Sequence, residues 1–395
     1  MVELAVPRVC CRLIFDEESV VRVLEFKARV RRVLEGILSG DEVFVASRDW
    51  HARREPIPCG MTVHTGVGCS YGCLYCYIYD MGFPPRPSPY PLSGLQLVYA
   101  LASNPYFVPG AHGTLLAFGS VTEPFMEVTF WRALEYFRAL RDYLGNPQQV
   151  STKPSLGGDG VEALVDSVDP RIDILVTVVT LRYWRRLEPG APSPVERFET
   201  ASRLARRGFH VTLFMRPIVP GVTDREARDI LELALSHGVR DVVPGTMRVT
   251  PRIMSRLRSS GVVDVGEVER RLSKPLRGPR VQIPIKGSDL KKIVVREAKR
   301  LGFRVHPASC ASNIASHGQA CAACSLGPCG DTSKLPEVTV EGVLGAARAL
   351  GVRVEDVRIE GYRVYLRCLD PRGECRKLKH YIIALARRQP VIRSS

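Results

Sequence analysis

Across residues 56–305 the chain alternates short β-branched runs with longer amphipathic segments, and that alternation leaves few folds open. The pattern predicts strands over 61–65, 114–118, 149–152, 172–180, 210–215 and 240–243. The run at 172–180 is rich in Ile and Val on both alternating faces, as in a strand covered on both sides of a parallel sheet. Helices are expected between them, over 92–102, 128–144, 193–207 and 224–236. Their ends are marked: Ser193-Pro194-Val195-Glu196 combines a capping box with proline at the first helical position, and Gly145 and Gly208 follow helix ends. Six strand–helix steps predict an α/β fold, a partial (β/α)6 TIM-like barrel with its chemistry at the C-terminal strand ends.

Around this core, 56–309, three smaller parts are expected. Residues 1–55 read as an N-terminal strand–helix segment, with a strand over 9–15 and a helix over 19–38 carrying Val23, Phe26, Val30 and Val33 on one face. Its adjacent Cys10 and Cys11 suit apolar burial better than joint ligation of one metal. Within the core, Ser288-Asp289 caps a helix running to 301, and 303–306 reads as a further strand. Residues 310–335 form a Cys-rich metal-binding loop. Residues 336–395 form a basic α/β appendage, with a helix over 341–350, a strand over 357–368 and a helix over 376–388.

The 395 residues can bury a full-sized core. No apolar run approaches the roughly 20 residues of a membrane helix, and the first residues lack a charged stretch followed by an apolar one. A cytoplasmic protein with reduced thiols is expected, a setting in which cysteines more often serve metals. The net charge of +15 is unevenly placed. Residues 1–245 hold 27 Lys/Arg against 28 Asp/Glu, whereas 246–395 hold 29 against 13. A positive field of that density favours polyanions, so DNA or RNA is a candidate partner; a solvated basic face that binds nothing specific is the alternative.

Cys69, Cys73 and Cys76 stand at C-x3-C-x2-C spacing in a Gly-rich loop just past the first strand. Three thiolates suit a cubane iron–sulfur cluster with one iron left open. They also suit zinc, if Cys59 or His64 supplies a fourth ligand. With Tyr75 preceding the third cysteine, the motif resembles the signature of radical S-adenosylmethionine (SAM) enzymes. The later strings Leu187-Glu188-Pro189-Gly190 and Arg216-Pro217-Ile218-Val219-Pro220-Gly221 resemble the spore photoproduct lyase-like group of that superfamily, over about residues 60–245. The resemblance implies that SAM binds the open iron of a [4Fe-4S] cluster held by Cys69, Cys73 and Cys76. Reductive cleavage there, fed by a one-electron donor such as ferredoxin or flavodoxin, gives a 5′-deoxyadenosyl radical that abstracts hydrogen from a substrate. It further implies SAM contacts from Tyr75, from Gly119, Ser120 and Thr122, from Lys153 and Thr177, and from Ile218 against adenine.

A second set, Cys310, Cys321, Cys324 and Cys329, falls within 310–329, and four soft thiolates satisfy either zinc or a second [4Fe-4S] cluster. His306 and His317, alone in loops, are read as solvent-facing. Cys368 and Cys375 bracket a turn and suit a disulfide or structural thiols. The substrate expectation is a nucleic-acid base. The alternatives are a peptide or small metabolite, or a non-catalytic, zinc-stabilised nucleic-acid-binding protein.

Overall fold

The alternation resolves, in a computed structural model that describes residues 13–57, 60–370 and 373–393, into a sheet of seven parallel strands. In chain order these are β1 (Gly60–Val63), β2 (Leu115–Phe118), β3 (Gln148–Thr152), β4 (Asp173–Thr177), β5 (His210–Ile218), β6 (Asp241–Thr246) and β7 (Arg304–Val305). Each hydrogen-bonds to the next, so spatial order equals chain order and β1 and β7 are the open edges. One-way winding with helical crossovers is the partial barrel that the sequence predicts, with the 303–306 strand added as a seventh. Every residue of β4 is buried, as its unbroken apolar run requires.

The crossover helices bury one stripe each. Glu127–Tyr143 turns Phe130, Leu134, Phe137 and Leu140 inward, and Phe137 meets Phe118 of β2 edge-on at 4.7 Å between ring centroids. The helix Gly158–Ser167, which buries Val161 and Leu164, is not legible in the sequence because three glycines open it. β5 runs on through Arg216-Pro217-Ile218, with a register shift against β6 between Met215 and Ile218.

The two ends of the chain meet. Ile14–Phe15 pairs in parallel with Glu337–Val338, and Phe15 and Val20 share an apolar cluster with Val343, Leu366, Leu378 and Tyr381. The helix Glu17–Glu35 therefore serves two cores, because its Phe26, Val30 and Leu34 join the barrel's own cluster. The expected single strand over 357–368 is a hairpin, Val354–Glu360 and Arg363–Cys368, turned at Gly361 with φ +54°. Glycine at the first turn position supplies the positive φ of a tight hairpin. The expected last helix stops early: Cys375–Tyr381 passes into a π-turn, Ile382–Ala386, and then a strand, Gln389–Arg393. Cys368 and Cys375 are disulfide-bonded and fully buried. Cys10, Cys11 and Cys59 lie outside the described residues.

A polar network closes the end where the strands begin. Asp173 accepts from Gln149 and Ser312, and His210 sits between Asp173 (2.9 Å) and Asp241 (3.5 Å). Asp241 also pairs with Arg304 and His306, each at 2.7 Å. His306, expected to face solvent, is thus buried by its carboxylate partner, and His317 is half-buried on the Asn313 carbonyl. Burial opposes a charge on His210, but the Asp173 and Asp241 carboxylates outweigh it and raise its pKa to about 9. A histidine raised above its unfolded value stabilises the fold fully below about pH 6.5 and progressively less as pH rises towards 9. Urea unfolding midpoints should therefore fall between pH 6 and pH 9, and a His210→Gln variant should flatten that fall; an unchanged slope would show that the network does not carry it.

Candidate active site

The cysteine loop is stitched shut before anything binds it. Gly66–Val67 pairs antiparallel with Ser88–Pro89, closing the segment between them. Inside, Gly68 has φ +87°, and a Cβ there would lie 2.4 Å from the Pro84 carbonyl oxygen, so only glycine fits. The Cys69 amide donates to that same carbonyl (3.2 Å), and the Cys76 amide donates to Cys73 O (3.0 Å). Tyr79 Oη donates to Cys69 O (2.8 Å) and accepts from the Gly72 amide (3.0 Å). Two distant segments clamp the outside. The Gly190 amide donates to Tyr71 O and the Leu74 amide to Leu187 O, both at 2.9 Å. Arg256 donates to the carbonyls of Leu74 (3.1 Å) and Cys76 (2.7 Å) and pairs with buried Asp80 at 2.7 Å. Sequence reading missed Arg256, which it counted only as part of a basic run.

Burial pushes the Cys69 thiol up to about 11 and the Cys73 thiol up to about 12, and raises Cys76 for the same reason. Each neighbouring sulfur adds to the rise, so three thiolates can coexist here only around a cation. A single tetrahedral zinc would hold its sulfurs about 3.8 Å apart, from a Zn–S bond of about 2.3 Å. Among the described residues, the only His, Cys, Asp or Glu trio with ligand atoms within 4.8 Å of one another is His210–Asp241–His306, at the other end of the strands. The three sulfurs are thus spread wider than one zinc tetrahedron. His64, the alternative fourth zinc ligand, is packed among Trp50, His51 and Tyr90.

Behind the loop lies a buried charge cluster. Tyr75, itself buried, donates from Oη to Glu188, and Glu188 pairs with Arg197 at 2.6 Å with both side chains fully buried. Arg197 also donates to the carbonyls of Pro192 (2.8 Å) and Thr177 (3.0 Å), tying the Glu188 segment to the end of β4. Lys153, after β3, points into this cluster, with Nζ 3.9 Å from Glu188 and 5.7 Å from the Tyr75 ring centre. Burial disfavours its charge, yet the Cys73 sulfur and Glu188 carry its pKa upward. Glu123 accepts from Thr152 Oγ1 and from the amides of Lys153 (2.8 Å) and Phe125 (3.1 Å). Neither Glu188 nor Glu123 stood out in the sequence as a charge near the cysteines; that each would be buried was the missing signal.

The turn after β2 holds the clearest vacancy in hydrogen bonding. Gly119 has φ +91°, and a Cβ there would sit 2.0 Å from Ser151 O. Beyond it, the buried hydroxyls of Ser120 and Thr122 find no partner among the described residues, and neither does Thr65. Buried hydroxyls are nearly always satisfied, so these three leave hydrogen-bonding capacity open beside the turn. Thr177 is buried at the end of β4, and Ile218 is fully buried in the main apolar cluster.

A different charge lines the same end of the sheet past β5. Arg216 has burial and the Arg248 charge lowering its pKa, and Lys291 has burial and Arg216 lowering its own. No carboxylate among the described residues pairs with any of the three. Positive charge thus collects here with no carboxylate beside it among the described residues.

Residues 63–234 match the family model of the radical SAM superfamily. Similar solved structures include a cysteine-to-serine mutant of spore photoproduct lyase, 17% identical with a TM-score of 0.51, covering 64% of this chain and 78% of that one. Another is spore photoproduct lyase complexed with dinucleoside spore photoproduct, 18% identical with a TM-score of 0.49, covering 63% and 75%. No curated protein sequence matches the chain. Residues 63–234 therefore carry a radical SAM domain, which marks an enzyme. Over 64% of the chain the fold is similar to that of spore photoproduct lyase. The matched domain implies SAM and a [4Fe-4S] cluster, which the three spread thiols and the unsatisfied hydroxyls fit, and it displaces the non-catalytic zinc alternative. No helix among the described residues is long and apolar enough to cross a membrane.

An Arg197→Met variant leaves Glu188 charged and buried without its partner, a loss of about 3–5 kcal/mol. Denaturant unfolding should show it, and adding Glu188→Gln should restore a part; a silent Arg197→Met would mean that water already reaches Glu188.

Proposed function

We propose that the enzyme uses radical SAM chemistry to abstract hydrogen from a nucleic-acid base, DNA or RNA, entering at the C-terminal ends of the strands. The observation that carries the substrate class is the unpaired trio Arg216, Arg248 and Lys291 at that same end. Had this trio lain on the far face, a peptide or small metabolite would be the better reading. Part of the surplus is structural, because Arg256 holds the cysteine loop and Lys291 donates to the Pro307 carbonyl (3.1 Å), but no carboxylate among the described residues offsets the trio. The dinucleoside named with one similar structure belongs to that protein and lends only general support.

Cys69, Cys73 and Cys76 hold the [4Fe-4S] cluster in this reading, and Ser120 and Thr122, with the Gly119 carbonyl end of β2, receive the SAM ammonium group. Together cluster and SAM supply one-electron cleavage of SAM and a hydrogen-abstracting 5′-deoxyadenosyl radical. The remaining work falls to the chain's own residues. Lys153 sets its charge beside Cys73 and Glu188, where it offsets negative charge on the sulfurs. The Glu188–Arg197–Tyr75 cluster fixes the back of the loop and keeps water from it. Arg216, Arg248 and Lys291 meet phosphates and bring a base over the mouth. A ferredoxin- or flavodoxin-type donor supplies the electron.

A Cys73→Ala variant, reconstituted anaerobically and reduced, should release no 5′-deoxyadenosine from SAM; wild-type yields would refute the cluster assignment. Thr122→Val removes a hydroxyl that has no partner without SAM, so unliganded stability should hold or rise. SAM affinity should fall about tenfold or more, the worth of a bond to a charged group. Binding of single-stranded DNA and of tRNA should weaken in Arg216→Ala/Arg248→Ala, with the slope of log K against log salt shallower by roughly one per lost phosphate contact. Wild-type binding without any salt slope would count against a nucleic-acid substrate.

A further inference from the structure

We propose that Cys310, Cys321, Cys324 and Cys329 hold a second iron–sulfur cluster, which fastens the C-terminal unit to the floor of the barrel. The four residues line one cavity, together with Leu115 and Pro147 at the entries to β2 and β3 and Ile383 and Arg387 from the C-terminal unit. The cavity therefore lies where the strands begin, at the opposite end of the sheet from Cys69, Cys73 and Cys76. A centre there is out of reach of a substrate at the mouth, and its use must lie in what it joins.

The segments that carry the cysteines are anchored to both sides. Cys310 opens the helix Ser309–Ser316, whose Asn313 side chain donates to Gln148 O (2.9 Å) and whose Ser312 donates to Asp173 (3.1 Å), both on the barrel floor. Cys321 and Cys329 face each other across a two-residue antiparallel ladder. Gly330 has φ +75° and would place a Cβ 2.1 Å from Gln319 O, so the ladder closes tightly only with glycine there. On the other side, the Ala322 amide donates to Arg387 O at 2.9 Å, and the Arg387 guanidinium donates to Gln319 Oε1 at 3.0 Å. Four thiol-bearing residues around a largely apolar cavity are a poor arrangement for unligated sulfur and a suitable one for a soft metal.

Spacing favours the larger centre. No three of these sulfurs lie within 4.8 Å of one another, whereas a zinc tetrahedron would set all four at about 3.8 Å. A cubane cluster, with one thiolate per iron, holds its sulfurs farther apart. Four protein ligands also leave no iron open, so this centre binds no SAM and serves the architecture.

The test is a metal and sulfide inventory on full-length protein purified anaerobically. Wild type should hold about eight irons and eight sulfides per chain, and a Cys69→Ala/Cys73→Ala/Cys76→Ala variant should stay brown with about four of each. Loss of SAM cleavage in that variant reports on the active site alone, and its remaining iron reports on the second centre alone. Cys321→Ala/Cys324→Ala should lose half the iron, still cleave SAM with a chemical reductant, and exchange amide hydrogens faster over 382–393. A triple variant that carries zinc, or no metal, overturns the proposal. So does a double variant that folds and keeps its full iron content or its exchange protection. If the double variant fails to fold, the triple variant's inventory decides.

Discussion

The shared direction of seven strands is the constraint on which the site depends. In a parallel sheet wound in chain order, every connection out of a strand's C-terminal end emerges on the same side, however far apart the segments lie in sequence. That geometry places the cysteine loop after β1, the Gly119 turn after β2, Lys153 after β3, the Glu188 segment after β4 and Arg216 near the end of β5 around one mouth. It equally places Asp173, His210 and Asp241 together at the other end, because each opens its strand. The division between chemistry above and structural polar contacts below follows from topology before any side chain is considered.

Within the mouth, charge is handled in two opposite ways. Glu188 and Arg197 are fully buried against one another, and their mutual attraction offsets the cost of leaving water only because each has further hydrogen-bonding partners. Arg216 and Arg248 have no carboxylate partner among the described residues, and the Arg248 charge acts against that of Arg216. Buried pairs of the first kind fix a geometry. Unpaired cations of the second kind store an attraction for something that arrives later.

Much of this was legible in advance, and what was not has physical causes. Strand positions followed from β-branched runs, and the cysteine motif carried its chemistry on its face. The Gly119, Ser120 and Thr122 turn was expected from the resemblance and from its place at a strand end, and its Ser120 and Thr122 hydroxyls have no partner among the described residues. Lys153 was expected to contact SAM, and in the unliganded fold it lies 3.9 Å from Glu188, a residue from another strand end. Arg256 illustrates the general limit: its charge looked like surface, and only tertiary packing showed it holding the loop from 180 residues away. The glycine-opened helix Gly158–Ser167 and the hairpin at Gly361 were missed because glycine reads as a break whether it ends an element or turns one.

The helix Glu17–Glu35 has a consequence for how the chain is made. One part of its apolar stripe packs on the barrel, while Val20 and the adjoining Phe15 wait for partners supplied by the final segment. During synthesis on a ribosome, those partners emerge only after the whole barrel. The helix must therefore remain half uncovered, a ready target for a chaperone, until they arrive to dock on it.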